Sequence, residues 1–151
     1  MIYYTANTPI EYQTFFHRRL GFHGPKQEGD YRIWETPGIG SICSFGSIET
    51  IQSGTANYMI PCDFLIEHQY HSHYLHCGIV FEGITYSMVA DKMVAASVPS
   101  AFLTLRNTSG GTHCWRKGQQ FKGIEISIEM SYLRNQLLPF LGYPDDPLQF
   151  L

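Results

Sequence analysis

The 151 residues predict a mainly β domain, a sandwich or barrel with one helix at the N-terminus and one near the C-terminus. Three observations carry this expectation. Between residues 31 and 128 lie eight short runs rich in β-branched and aromatic residues, separated by glycine- and proline-bearing turns. Ahead of them stands a capped, amphipathic helical segment. Behind them, leucines recur at helical spacing.

The first helix is announced by Thr8-Pro9-Ile10-Glu11, a capping box with proline at the first helical position. Tyr12, Phe15, Phe16, Arg19 and Leu20 follow at helical spacing, and Gly21 closes the segment. The predicted strands are 31–34, 41–45, 58–60, 64–70, 75–81, 84–89, 101–106 and 123–128. Pro37-Gly38, Ser53-Gly54, Glu82-Gly83, Val98-Pro99 and Ser109-Gly110-Gly111 read as the turns between them. Strand alternation puts Phe64, Ile66, His68 and Tyr70 on one face, so His68 stands on the apolar side. Leu133, Leu137, Leu138 and Leu141 predict a terminal helix over 131–142, which Pro139 and Gly142 kink or stop. Tyr143-Pro144-Asp145-Asp146-Pro147 reads as an exit into a linker.

Composition narrows the function classes. The hydrophobic share is 44% and the aromatic share 15%, while charged residues are sparse at 15%, as suits a packed domain that encloses a cavity or hides surface in a partner. Net charge is −3, and no Lys or Arg occurs between Arg32 and Lys92. Phosphate backbones demand clustered cations, so the domain is not expected to bind nucleic acid by itself. No apolar run reaches the roughly 18 residues of a membrane span. The N-terminus lacks a basic start and an apolar stretch, so a cytoplasmic location is expected. Cys43, Cys62, Cys77 and Cys114 are scattered without a CxxC pair, which argues for reduced thiols.

Four of the seven histidines crowd into one stretch, His68, His71, His73 and His76, which runs into Cys77-Gly78-Ile79-Val80-Phe81-Glu82-Gly83. A histidine-rich turn feeding an apolar strand reads as the start of a ligand-facing sheet. With it in view the chain resembles a cupin jelly roll. More narrowly, it resembles the N-terminal sensory domain of the AraC family of bacterial transcription factors. The residues that carry the resemblance are 75–83, a strand ending in an acidic-glycine turn, and 115–126, followed by Tyr132-Leu133 and the leucine helix.

The resemblance implies a division into an N-terminal helical segment (1–29), a cupin-like jelly-roll barrel (30–130) and a dimerisation helix (131–142). Residues 143–151 then begin a linker to a DNA-binding domain that is absent here. A small-molecule effector enters the barrel, the chain forms a homodimer through Leu133, Leu137 and Leu141, and DNA is bound only through the absent domain. Neither a membrane partner nor a cofactor is expected.

Enzymatic cupins hold a metal with an HxH pair, a carboxylate a few residues on, and a histidine from a second motif. His71-Ser72-His73 supplies the pair, but Cys77 and Gly78 stand where the carboxylate belongs and Glu82 comes too late. Gly110-Gly111-Thr112-His113 matches part of the second motif, with Thr108 in place of its proline and Lys117 in place of its asparagine. Two histidines alone make an open, weak site. The expectation is therefore no metal and no catalysis, with a small metal-dependent dioxygenase or isomerase as the alternative, and a stand-alone cupin binding module as a third reading. The candidate ligand-binding residues are His68, Tyr70, His73, His76, Tyr86, Arg106, His113 and Trp115, aromatic or hydrogen-bonding groups on or beside barrel strands. Glu125 faces opposite Ile124 and Ile126. It lies outside if those isoleucines fill the core, and lines the cavity if they do not.

Overall fold

The computed structural model describes residues 2–83, 85–89, 92–96 and 98–143, with the side chains of 85–89, 92–96 and 106–108 left aside. In chain order the elements are β1 (Ile2–Ala6), α1 (Pro9–Arg19), β2 (Lys26–Glu28), β3 (Tyr31–Thr36), β4 (Gly40–Gly46), β5 (Ile51–Met59) and β6 (Phe64–His68). There follow β7 (Ser72–Gly83), β8 (Thr85–Val89), β9 (Lys92–Ala96), β10 (Ser100–Thr108), β11 (Gly111–Trp115), β12 (Gln120–Glu129) and a terminal helical segment. The mainly β expectation holds. The strands form a three-stranded sheet, β1-β6-β11, a seven-stranded sheet, β10-β7-β12-β5-β4-β3-β2, and the pair β8-β9. Each ordering ends on an edge strand, so these are open sheets where a closed barrel was expected.

Helix α1 forms as its sequence predicts. Thr8 Oγ1 accepts from the Glu11 N–H at 3.1 Å, and the Glu11 carboxylate reaches back to the Asn7 N–H at 2.7 Å. Its apolar face joins the two sheets. Phe15 stacks on Tyr4 of β1 with ring centroids 3.8 Å apart. Phe16 touches Trp115 at 4.8 Å and Phe64 at 6.1 Å on the small sheet, and Tyr58 at 5.5 Å on the large one. Phe64, Ile66, Ile60 and Leu20 are almost fully buried in this core, each worth roughly 1.5–3 kcal/mol in burial.

Register separates the two faces of the large sheet, because residues paired across antiparallel strands share a side. Trp34, Ile42, Ala56 and Tyr58 all join the core, which marks the inner face. Two residues along, the inner row runs Ser44, Gly54, Glu125, Gly78 and Phe102. The outer face carries the isoleucines and leucines: Ile124 is 42% exposed, Ile79 44% and Leu103 71%. Gly54 and Gly78 are required by close backbone approach. A Cβ at Gly78 would lie 2.3 Å from the Ile124 carbonyl oxygen, and one at Gly54 2.5 Å from that of Cys43.

Several expectations are corrected. The N-terminal segment opens with a strand, β1, which pairs in parallel with β6 over residues 2–6, and it holds the short β2 besides. Ser53-Gly54 is no turn but the interior of β5, where glycine serves packing rather than chain reversal. The histidine stretch is only partly a turn, since β7 begins at Ser72 and takes in His73. Tyr70 lies past the end of β6 at His68. Strand β11, with His113 and Trp115, was unforeseen. It pairs with β6.

The terminal segment starts as a helix over Met130–Tyr132, capped by the Glu129 carboxylate, which accepts from the Tyr132 N–H at 2.8 Å. It widens to a π-helical stretch over Leu133–Leu137 and ends with Leu138–Phe140. Pro139 cannot donate a hydrogen bond and crowds the preceding turn, which the wider stretch accommodates. Gly142 then takes a φ of 85°. Leu133, expected in a dimer seam with Leu137 and Leu141, is buried with Leu138 and Met130, and with Leu137 packed beside it, against Leu75, Leu105 and Ile128 of its own chain. Those three belong to one outer row of the large sheet. Phe140 and Leu141 remain exposed.

Candidate functional site

The space between the two sheets gathers polar groups at the edge of the aromatic core. On the small sheet, β6 alternation buries Phe64, Ile66 and His68 together, and register sets Trp115, His113 and Gly111 beside them. The His68 imidazole fills the volume over Gly111, where a Cβ would stand 2.9 Å from Nε2. His113 shares a 2.5 Å hydrogen bond between Nδ1 and the Tyr12 phenol. The His68 ring lies 5.6 Å from that of His113 and 4.9 Å from that of Tyr70. Tyr12, His68, Tyr70 and His113 thus form one cluster, assembled from α1, β6, the loop after β6, and β11.

On the large sheet, Glu125 stands on the inner face with Gly54 and Gly78 on either side, so no neighbouring side chain crowds the carboxylate from those strands. Its position resolves the alternative left open by the sequence. The isoleucines face outward and the carboxylate faces in. The His76 imidazole lies beside it, Nε2 to Oε2 at 3.3 Å, its ring nearly perpendicular to that of Phe102 with centroids 5.2 Å apart. The contact lacks hydrogen-bond geometry. Tyr58 links the two clusters. Burial, then Glu125, then Tyr12 push its phenol upward, so it stays neutral.

The chemistry of this interior follows from atoms left unpaired. Among the described residues, Ser44 Oγ, His76 Nε2, Ser100 Oγ and Trp115 Nε1 are buried without a hydrogen-bond partner. Ser44, His76 and Ser100 occupy inner positions of the large sheet, and Trp115 occupies the facing side of the small one. An unpaired buried polar atom costs about 1–3 kcal/mol. These atoms lie on inward-facing surfaces, with Ser44 and Ser100 four strands apart in the large sheet, and each can meet a hydroxyl, amide or carbonyl group.

The predicted site residues divide accordingly. His68, Tyr70 and His113 come together, His76 faces the same interior, and Trp115 sits in its wall. His73 does not join them: three positions from His76 on a regular strand, it takes the opposite face with Leu75. The side chains of Tyr86 and Arg106 lie outside the described residues. His71 is exposed, with its ring 5.9 Å from that of His73. Sequence reasoning missed Tyr12, read only as part of a helical apolar face, and Ser44 and Ser100, which carry no local signal.

Among the described residues no group of three or more His, Cys, Asp and Glu gathers in a way that could hold a metal ion, and no helix is long and apolar enough to cross a membrane. All four cysteines are unpaired. No protein-family model, curated protein or solved structure matches the chain.

Proposed function

We propose that the chain is the effector-binding domain of an AraC-type transcriptional regulator, of cupin-like jelly-roll descent, that holds a small polar molecule between its two sheets. The observation that carries the binding role is the inner-face pair His76 and Glu125, with Ser44, Ser100 and Trp115 buried without hydrogen bonds on the surrounding surfaces. A ligand with hydroxyl or amide groups meets His76 and Glu125, while the ring of Phe102 offers apolar contact. The regulatory role rests on the resemblance of residues 75–83 and 115–126 and on the leucine-bearing terminal segment that follows. In this role the domain binds its effector without catalysis, and DNA is met only through a further domain. The effector acts through its difference in affinity for two arrangements of sheet, terminal helix and DNA-binding domain. Self-association belongs to the same proposal, with exposed Phe140 and Leu141 at the helix tip available to a second copy.

The test is a thermal-shift screen of neutral polyols, sugars and small amides, repeated on His76→Phe and Glu125→Gln. A compound that binds the folded state raises the melting temperature by mass action. The expected result is at least one such compound whose affinity drops about tenfold or more in both variants, that is, by about 1.4 kcal/mol. Compounds that stabilise all three proteins alike, or a screen without any stabilising compound, would show the proposal to be wrong.

A further inference from the structure

Away from the residues between the sheets, the structure holds a cavity of about 500 Å³ on the other side of α1, between that helix, β3 and the β4–β5 turn. Its size falls within the roughly 300–1,000 Å³ of small-molecule sites. Helix α1 serves both places. Tyr12, Phe15 and Phe16 face the core, while Ile10, Gln13, Thr14, His17 and Arg18 line the groove at helical spacing. Trp34 and Phe22 are buried aromatic residues of its lining.

The charge of the groove is one-sided. Arg18 and Arg32 line it, and no carboxylate does, in a protein of net charge −3. Among the described residues neither arginine has a carboxylate partner. Arg32 is nonetheless held in place: its guanidinium lies 5.7 Å from the Trp34 ring centroid and donates to the Gly46 carbonyl. A fixed guanidinium without a counter-ion keeps N–H donors for a planar anion, and the aromatic stack lowers the entropy lost on binding. His17 rests on Trp34 at 4.5 Å, and burial, then Arg32, keep it neutral, so it offers a ring nitrogen rather than a charge.

We propose that this groove is a binding site for a small organic anion, a carboxylate or phosphate on a flat apolar body, with Arg32 and Arg18 holding the anion and Trp34 and Phe22 the body. It goes beyond the inter-sheet site and involves different residues. Isothermal titration calorimetry on the whole chain tests it with benzoate, phenyl phosphate and neutral benzamide, at low and high salt. Benzoate or phenyl phosphate is expected to bind at least about tenfold more tightly than benzamide, and less tightly at high salt. Arg32→Gln should weaken the anion about tenfold, and so should Arg18→Gln, whose exposed position keeps the fold intact if the first variant unfolds. Equal binding of benzamide and benzoate overturns the proposal, as does no binding of either anion, or anion binding unchanged in Arg18→Gln and in a folded Arg32→Gln. Loss of the anions' binding in Glu125→Gln, with both arginine variants unaffected, also overturns it by placing them between the sheets.

Discussion

His17 gives the fold a pH dependence whose size can be worked out. Burial against Phe22 and Trp34, and secondly the Arg32 guanidinium, lower its pKa from 6.5 to about 4. The unfolded chain takes a proton near pH 6.5, whereas the folded chain refuses it until about pH 4. Unfolded protein therefore binds more protons across that window, and stability rises with pH within it. The contribution is fully present above pH 6.5 and is lost as pH falls towards 4, with no further slope below. At about 1.4 kcal/mol per unit, the whole shift corresponds to roughly 3 kcal/mol, a large share of the 5–15 kcal/mol typical of a domain. His17→Phe keeps an aromatic ring against Trp34 and removes the titration. Urea unfolding at pH 7.5, 6.5, 5.5 and 4.5, followed by tryptophan fluorescence and circular dichroism, measures the difference. The wild-type protein should lose about 2–3 kcal/mol relative to the variant between the first and last pH, a midpoint shift of roughly 1–3 M urea. Any constant offset caused by the substitution drops out of that difference. Asp63, held low chiefly by the Lys117 N–H at 2.7 Å, loses its share only at more acidic pH, in both proteins alike. If the two proteins weaken in parallel from pH 7.5 to 4.5, His17 is not kept neutral by the fold and the reasoning fails.

Two further substitutions probe the sheet and the helix. Gly78→Ala should destabilise by several kcal/mol or prevent folding, because its Cβ would meet backbone at 2.3 Å rather than a side chain that can move; unfolding midpoints near those of the wild type would argue against the close β7–β12 approach. Leu133→Ala should cost about 2–5 kcal/mol, whereas Leu141→Asp should leave the fold intact and weaken any dimer, as measured by denaturation together with light scattering.

Local signals were legible where one stretch of chain held all the information. The α1 cap needs Thr8, Pro9 and Glu11, which stand together, and the helix formed as they indicate. The alternation that buries Phe64, Ile66 and His68 is written in five consecutive residues of β6. The kinked end of the terminal helix follows from Pro139 and Gly142. Where a signal had two uses, sequence alone chose wrongly. Gly54 serves equally in a turn or at a close backbone approach, and only the neighbouring strand β4 distinguishes them.

Mainly β character, the two capped or kinked helices and the apolar setting of His68 were determined by the sequence itself, since each depends on contacts within a few residues. Pairing was not. That Ile2–Ala6 would lie along Phe64–His68, or that Gly111–Trp115 would bring His113 to Tyr12, depends on closing loops of some sixty to a hundred residues. Local pattern carries no record of such partners. The same holds for Glu125: Ile124-Glu125-Ile126 states that the carboxylate and the isoleucines part company, but not which side is inside. Tertiary structure decided it by packing the small sheet and α1 against the Trp34–Ile42–Tyr58 side, which put the Glu125–His76 face inside and left Ile124 facing outward.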